Sequence, residues 1–440
     1  MIKKITITLG VALAFNMGLY AQSIDAAKLN SYFKVLEENN KFMGTAAVSK
    51  NGSVVYEQAS GYADISSKKK NNTKTKYRIG SVSKTFTSVL TLKAAELKKL
   101  KLEDKISIYF PNLNNADKIT ISDLLYHRSG IHSFTDEMEY LSYYTSKKTR
   151  AEMLQIINKY PADFEAGANA EYSNSNYVLL SYIVEDVFKT DYTTALNTYI
   201  VKPLKLESTF LGGKIHLENE EAYSYDYEGK WVKSEETDIS VPMGAGGIVS
   251  TPADLMKFIE GLFSGKIISK TSLDKMITLK DDYGMGIFSF PFNNEVGYGH
   301  DGSIDGYRSM VSYYPDSGIA TAVIANGSNM NLADVNTVLL KAANQMPFEI
   351  PNFNKRTVTS ADLDVYLGTY TSEQIPLKIT ISKKENVLYA QATGQLAFPM
   401  EALEDHRFSF ETAGIVIQFN VKDHSFTLNQ GGGKFVFTKE

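Results

Sequence analysis

Ser81 and Lys84 stand three residues apart in the stretch Arg78-Ile79-Gly80-Ser81-Val82-Ser83-Lys84-Thr85-Phe86-Thr87. At the start of a helix, positions i and i+3 share a face about one turn apart, so an amine there can reach a hydroxyl. A serine hydroxyl is a weak nucleophile at neutral pH and needs a neighbouring base. A lysine that is desolvated, or close to another cation, can shed its proton and serve as that base. The spacing alone carries little weight, because it recurs at Ser31/Lys34, Ser66/Lys69, Ser67/Lys70 and Ser272/Lys275. The Ser81 match differs in its setting. Gly80 allows a tight turn into a helix. Val82, Phe86, Val89, Leu90, Ala94, Leu97 and Leu100 then predict a long, mostly buried helix. Ser81, Lys84 and Ser88 share one polar stripe on it, and a lysine beside a core is costly unless it has a partner or a task.

Two further groups could serve such a nucleophile. Among 27 tyrosines, only Tyr172 begins a Tyr-x-Asn, as Tyr172-Ser173-Asn174. A tyrosine near a cationic lysine can have its pKa pulled down and relay protons. An asparagine amide can donate to a substrate carbonyl and accept from the lysine. The same residues could equally cap the helix expected from Tyr177 to Phe188. Among six histidines, only His300 begins a His-x-Gly, within Gly299-His300-Asp301-Gly302-Ser303. A glycine-rich strand edge lets a substrate approach the backbone, and its amides can bind an oxyanion. The other reading is a hairpin turn with an exposed histidine. The remaining histidines have no metal-like spacing and read as structural or surface residues.

The elements that must position these groups follow from periodicity. An amphipathic helix is expected over 23–42. Strands at Thr45 to Val48 and Val54 to Glu57 meet at an Asn51-Gly52 hairpin. Lys68-Lys69-Lys70 reads as a solvated loop. Residues 100–260 read as mainly helical. Thr120-x-x-Asp123 forms a capping box for a short helix ending at Ser129-Gly130, and Thr251-Pro252 opens another helix. The stretch Phe134 to Tyr144 suits either a pocket lid or plain surface. Strands return at Tyr283 to Phe290, Tyr307 to Tyr314 and Ile319 to Ala325, before a closing helix from Leu332 to Gln345. Strands at both ends of a helical middle predict one antiparallel sheet flanked by helices, carrying a large helical subdomain, an α/β (α+β) arrangement. After a linker at 347–359, residues 360–440 alternate in short strands and predict an all-β barrel or sandwich. Gly431-Gly432-Gly433 reads as a turn.

Composition narrows the function classes. The chain has 440 residues, is 43% hydrophobic and carries a net charge of -4 with no large basic block, which argues against nucleic-acid binding. Absence of cysteine excludes disulfides and thiol catalysis. Lys3 and Lys4 precede a mostly apolar run from Ile5 to Tyr20, which reads as a signal peptide over 1–21 and places the mature chain in the periplasm or outside the cell. Asn16 interrupts a run already short for a membrane span.

In order, Ser81-x-x-Lys84, Tyr172-Ser173-Asn174 and His300-Asp301-Gly302 resemble the three motifs of the serine β-lactamase and penicillin-binding superfamily. The nearest branch is the class C-like group of D-alanyl-D-alanine carboxypeptidases, D-aminopeptidases and esterases. Leu124-Leu125-Tyr126-His127-Arg128-Ser129-Gly130-Ile131, the stretch Gly244 to Thr251, and Pro203-Leu204-Lys205-Leu206 (with Lys where the family has Gly) resemble its connecting segments. The resemblance covers roughly 25–345, within an expected domain of 22–346, and 360–440 resembles the lipocalin-like domain often appended. The resemblance implies Ser81 as acylated nucleophile, Lys84 as its activator, Tyr172 as proton relay and Asn174 as a substrate and lysine contact. It implies an oxyanion hole from the amides of Ser81 and Ser303, with Gly302 and His300 also facing substrate. His300 takes the place of the lysine in the Lys-Thr-Gly motif, and a group neutral at pH 7 there tilts the expectation from β-lactams toward peptides and esters. The substrate would be a small molecule or peptide, with no cofactor or metal. A non-catalytic binding or sensor protein on the same fold is the competing reading. An α/β-hydrolase lacks support, because no G-x-S-x-G elbow is present. Acyl-group specificity is expected to lie in loops near 132–165 and 210–240. Oligomeric state is left open.

Overall fold

The computed structural model describes residues 24–410, 413–430 and 433–440. The signal-like stretch 1–21 and Gly431-Gly432 of the glycine turn lie outside the described residues.

Apolar runs from the two ends of the segment that precedes the linker meet in one antiparallel sheet. The strand Phe42–Lys50 pairs with Ser53–Ser60 on one side and with Ile319–Ser328 on the other, in a register running from Phe42↔Ser328 to Lys50↔Ile319. Tyr307–Tyr314, Glu295–Ile304 and Phe288–Phe292 extend the sheet in that order. Phe42–Lys50 is buried along nearly its whole length, so it lacks the alternation of a half-exposed strand. Helices cover both faces. Ala26–Glu38 and Leu332–Ala343 pack on one through Leu29, Phe33, Val335 and Leu339. Ser83–Glu96, Pro252–Phe263 and the helical region pack on the other, where Phe86 stacks on Phe258 with ring centroids 3.6 Å apart.

Several details differ from the sequence expectations. The serine helix ends at Glu96, and Leu97 is left 46% exposed as the chain turns through Lys98 at φ +55°. The short helix opened by the Thr120/Asp123 capping box ends at Leu125, before Ser129-Gly130. Its left-handed exit residue is His127, at φ +57°. Lys69–Lys70 are not a free loop. They pair with Tyr62–Asp64, and Lys70 Nζ donates to Glu37 at 2.7 Å. Tyr283 to Ile287 loops through Gly284 and Gly286, so the expected strand begins only at Phe288. Glu295–Ile304 was not among the expected strands because Gly297, Gly299 and Gly302 dilute its strand character.

Lys205 ends the short helix Lys202–Leu204 at φ +53°, a left-handed position that costs a side-chain-bearing residue about 1 kcal/mol. Lys205→Gly is therefore expected to stabilise the protein by about 0.5–1 kcal/mol, less the entropy glycine loses on folding. A urea midpoint that falls rather than rises would contradict this.

At the C-terminus, eight strands from Gly368–Thr371 to Gly433–Lys439 form a closed barrel, sealed where Tyr370 pairs with Lys439 and Thr371 with Thr438. Alternate residues turn inward, as Ile379 and Ile381 do, and Phe408, Phe419, Phe426 and Phe437 fill the centre. The barrel alternative therefore holds over the sandwich. The sequence alternation marks strands at 377–382, 387–393, 408–411, 415–421, 425–429 and 434–438, and Gly368–Thr371 and Phe398–Ala402 lie outside them.

Candidate active site

Ser81 sits in a one-turn 3-10 segment, Gly80–Val82, that runs directly into the helix Ser83–Glu96. Lys84 lies one turn on and is completely buried. Its Nζ is 2.9 Å from Ser81 Oγ, 2.7 Å from Asn174 Oδ1 and 2.8 Å from the Ala245 carbonyl. Asn174 opens the helix Asn174–Phe188, and Ala245 lies in Met243–Gly246. Three separate pieces of chain thus converge on one amine. Asn174 Nδ2 donates to Thr135 Oγ1 at 2.8 Å, which fixes its amide so that the oxygen faces Lys84.

Burial pushes the Lys84 pKa well below that of an ordinary lysine, and the Asp301 carboxylate opposes the shift. The amine is thereby moved toward the neutral form that can accept a proton. Tyr172 also reaches this cluster, its ring centroid 4.8 Å from Lys84 Nζ. Its pKa is pushed up, chiefly by burial, although a hydrogen bond to Ser81 opposes this. That reverses the expectation that the lysine would pull the tyrosine down. Desolvation dominates both groups, so it drives one toward neutral amine and holds the other as neutral phenol.

His300 lies in mid-strand opposite Val311 and is 1% exposed, which rules out the exposed-turn reading. Its ring centroid is 4.7 Å from that of Phe288 and 6.4 Å from that of Tyr172. Burial, then the Lys84 charge, lower its pKa to about 3, so the imidazole is neutral at pH 7. Its Nδ1–H donates to the Asp301 carbonyl.

Gly80 and Gly302 let two backbones touch. Gly80 is left-handed at φ +50°, and a Cβ there would lie 2.7 Å from Ser303 N. A Cβ on Gly302 would lie 2.9 Å from Ser81 N and would also strike the Ile79 carbonyl. The Ser81 and Ser303 segments are therefore side by side, as a two-amide oxyanion hole requires. Ser309 Oγ holds this seam by donating to the Ile79 carbonyl at 2.7 Å.

Two contributors escaped the sequence reading. Arg78 and Asp305, both buried, form an ion pair at 2.8 Å. One precedes Ser81 by three residues and the other follows Ser303 by two, so the pair fastens together the two segments that carry the amides. Asp305 also accepts from Thr237 N and Oγ1, and Arg78 donates to the Thr237 and Gly213 carbonyls. The available signal was a lone arginine inside the apolar Tyr77-Arg78-Ile79. His127 is the second. It is buried, its ring stacks on Tyr172 at 4.5 Å, and its Nδ1 accepts from Ser173 N–H at 3.0 Å. It is a structural residue as expected, and one that seats the tyrosine.

Ser81 opens onto two recesses. One, of about 100 Å³, is walled by Phe134, Thr135 and Tyr140, which assigns part of the 134–144 stretch to the pocket. The other, of about 600 Å³, is lined by Tyr172, Phe288, Asp301, Ser303, Arg308 and Met330 among others.

A nucleophile, a desolvated amine, a neutral tyrosine and apposed glycine backbones, set between an antiparallel sheet and a helical region, define a β-lactamase-type serine hydrolase. The chain belongs to the β-lactamase family, whose Beta-lactamase model matches residues 29–344. It is 29% identical over 322 residues to the putative penicillin-binding protein PbpX of Bacillus subtilis strain 168, covering 72% of this chain and 78% of that one. It is 25% identical over 300 residues to the teichoic acid D-alanine hydrolase of Staphylococcus aureus strain MRSA252, covering 66% and 72%. Among solved structures it resembles the D-amino acid amidase of Ochrobactrum anthropi SV3 complexed with L-phenylalanine amide, with TM-score 0.61, 25% identity and coverage of 68% and 91%. The octameric penicillin-binding protein homologue of Pyrococcus abyssi shares the fold over 94% of this chain and 100% of its own, with TM-score 0.67 and 23% identity.

Proposed function

We propose that this protein cleaves amide or ester bonds through an acyl-enzyme on Ser81. The observation that carries this reading is the buried Lys84 amine, 2.9 Å from Ser81 Oγ and shifted toward its neutral form. Lys84 takes the Ser81 proton as Oγ attacks the substrate carbonyl. The N–H groups of Ser81 and Ser303 receive the developing oxyanion. Tyr172, a neutral phenol in contact with Ser81, passes a proton to the leaving amine or alcohol and regains one from Lys84. Water then attacks the ester, with the same groups running in reverse. Asn174 orients both Lys84 and substrate. A neutral His300 where β-lactamases carry lysine removes the fixed positive charge at that position for a β-lactam carboxylate, so D-amino-acid amides, peptides and small esters are the favoured substrates. The teichoic acid D-alanine hydrolase and D-amino acid amidase relatives support that direction. Residues 1–21 support export to the periplasm or exterior. A binding or sensor role has less support, because it leaves the approach of the buried Lys84 amine to Ser81 Oγ without a task.

The test is the intact mass of the protein after incubation with benzylpenicillin and, separately, with a fluorophosphonate. A fluorophosphonate adduct that disappears in Ser81→Ala is expected. Absence of any adduct on Ser81 would favour the binding reading. Export is checked by N-terminal sequencing of the protein from the extracellular fraction, with cleavage near Ala21 expected.

A further inference from the structure

Asp301 is a carboxylate that the scheme above does not use. It follows His300 on Glu295–Ile304, and the strand pleat turns the two side chains to opposite faces. His300 is buried, whereas the Asp301 side chain is 71% exposed. Asp301 lines the larger recess together with Ser81, Tyr172 and Ser303. Its charge is felt by the catalytic groups, supporting the cationic form of Lys84 and opposing ionisation of Tyr172. Its nearest basic group is His300, with Nδ1 3.7 Å from Oδ1, and that imidazole is neutral.

The other charged residue lining this recess is Arg308, opposite Ser303 on the neighbouring strand. Its Nη1 donates to the carbonyls of Asp305 and Tyr307, at 3.0 and 2.8 Å. No ion pair joins Arg308 to Asp301 among the described residues. The recess therefore holds a carboxylate and a guanidinium that are not paired with each other, and the carboxylate stands on the strand that carries the Ser303 amide. Asp301 is well exposed, so water screens it: two unit charges about 10 Å apart, at an effective dielectric between about 80 and 20, change an affinity by roughly twofold to fifteenfold.

We propose that Asp301 is a charge filter on the acyl donor. It favours donors with an ammonium group beside the scissile carbonyl, namely aminoacyl esters and amides with a free amino group. It turns away donors with a carboxylate there, including penicillins and peptides ending in a free carboxylate. The inference rests on Ser81 being the acylated nucleophile. It also gives the absence of a fixed cation at position 300 a counterpart: position 300 carries no positive charge and position 301 carries a negative one.

The experiment compares wild type with Asp301→Asn on D-alanine 4-nitroanilide, on its N-acetyl derivative, and on acylation by benzylpenicillin. The preference for the free amine over the N-acetyl compound, as a ratio of kcat/KM, is expected to fall by about twofold to fifteenfold. The fall should lie in KM and shrink in high salt. Penicillin acylation, relative to the N-acetyl compound, is expected to rise by a similar factor. Unchanged ratios, or equal losses on all three compounds, would overturn the filter. Fluorophosphonate labelling separates the two readings. Labelled Ser81 with unchanged ratios removes the filter alone, whereas unlabelled Ser81 removes both.

Discussion

Lys84→Ala is expected to lower kcat/KM by about 10²–10⁴, with the loss in kcat and little change in KM. The argument is geometric first. Lys84 is the one basic side chain hydrogen-bonded to Ser81 Oγ among the described residues, and it is held there by Asn174 and the Ala245 carbonyl. The electrostatic argument concerns pH. The wild-type rate is expected to fall as pH drops, because protonation of Lys84 would remove the proposed base. Since burial has moved its pKa well below the ordinary lysine value, the limb lies well below pH 10. Stability follows the same group. An unfolded lysine, with pKa about 10.4, binds a proton that folded Lys84 releases at lower pH. Between those two values the unfolded state holds more protons, so this lysine makes stability rise with pH. Lys84→Met should remove both the activity and that slope, read by urea denaturation across the pH range. A variant with wild-type kcat would end the assignment of Lys84 as base.

Much of this site is legible in the sequence because its chemistry depends on local spacing. Ser81 and Lys84 are one helical turn apart, and Tyr172 and Asn174 flank a helix start. Which of five Ser-x-x-Lys pairs matters could be read from the apolar positions around Ser81. What spacing cannot show is desolvation. The tyrosine pKa moves up rather than down because burial outweighs the neighbouring amine, and burial is a property of the assembled fold. The same limit hid Arg78 and Asp305, which are separated by 227 residues and look like ordinary surface charges in isolation. It also hid the strand that carries His300. Its glycines lower strand propensity in the sequence, yet Gly302 is needed where that strand meets the backbone of Ser81. The barrel was readable from its alternation. Its closure was not, because two short strands carry too few alternating residues to register.

Asp305→Ala is expected to cost about 3–5 kcal/mol of stability and about 10²–10³ in kcat. Removing the carboxylate leaves the buried Arg78 guanidinium with only the more distant Glu236, 3.8 Å away, as counter-charge, and leaves Thr237 N and Oγ1 without their acceptor. The activity loss has a separate origin. Arg78 anchors the segment leading to Ser81 and Asp305 the segment following Ser303, so loosening the pair lets the two amides drift apart. Burial raises the Asp305 pKa, and the Arg78 charge opposes that shift. The role assigned to the pair is positional, because a buried ion pair is weak grounds for net stability. This gives a discriminating variant. Asp305→Asn keeps an oxygen acceptor for Thr237 and a polar partner for Arg78, so it should recover part of the stability. Because an amide holds a guanidinium less firmly than a carboxylate does, kcat should recover less than stability. Denaturant midpoints and kcat measured on both variants test this. If kcat follows stability in strict proportion, or if Asp305→Ala is folded and fully active, the pair does not position the oxyanion hole.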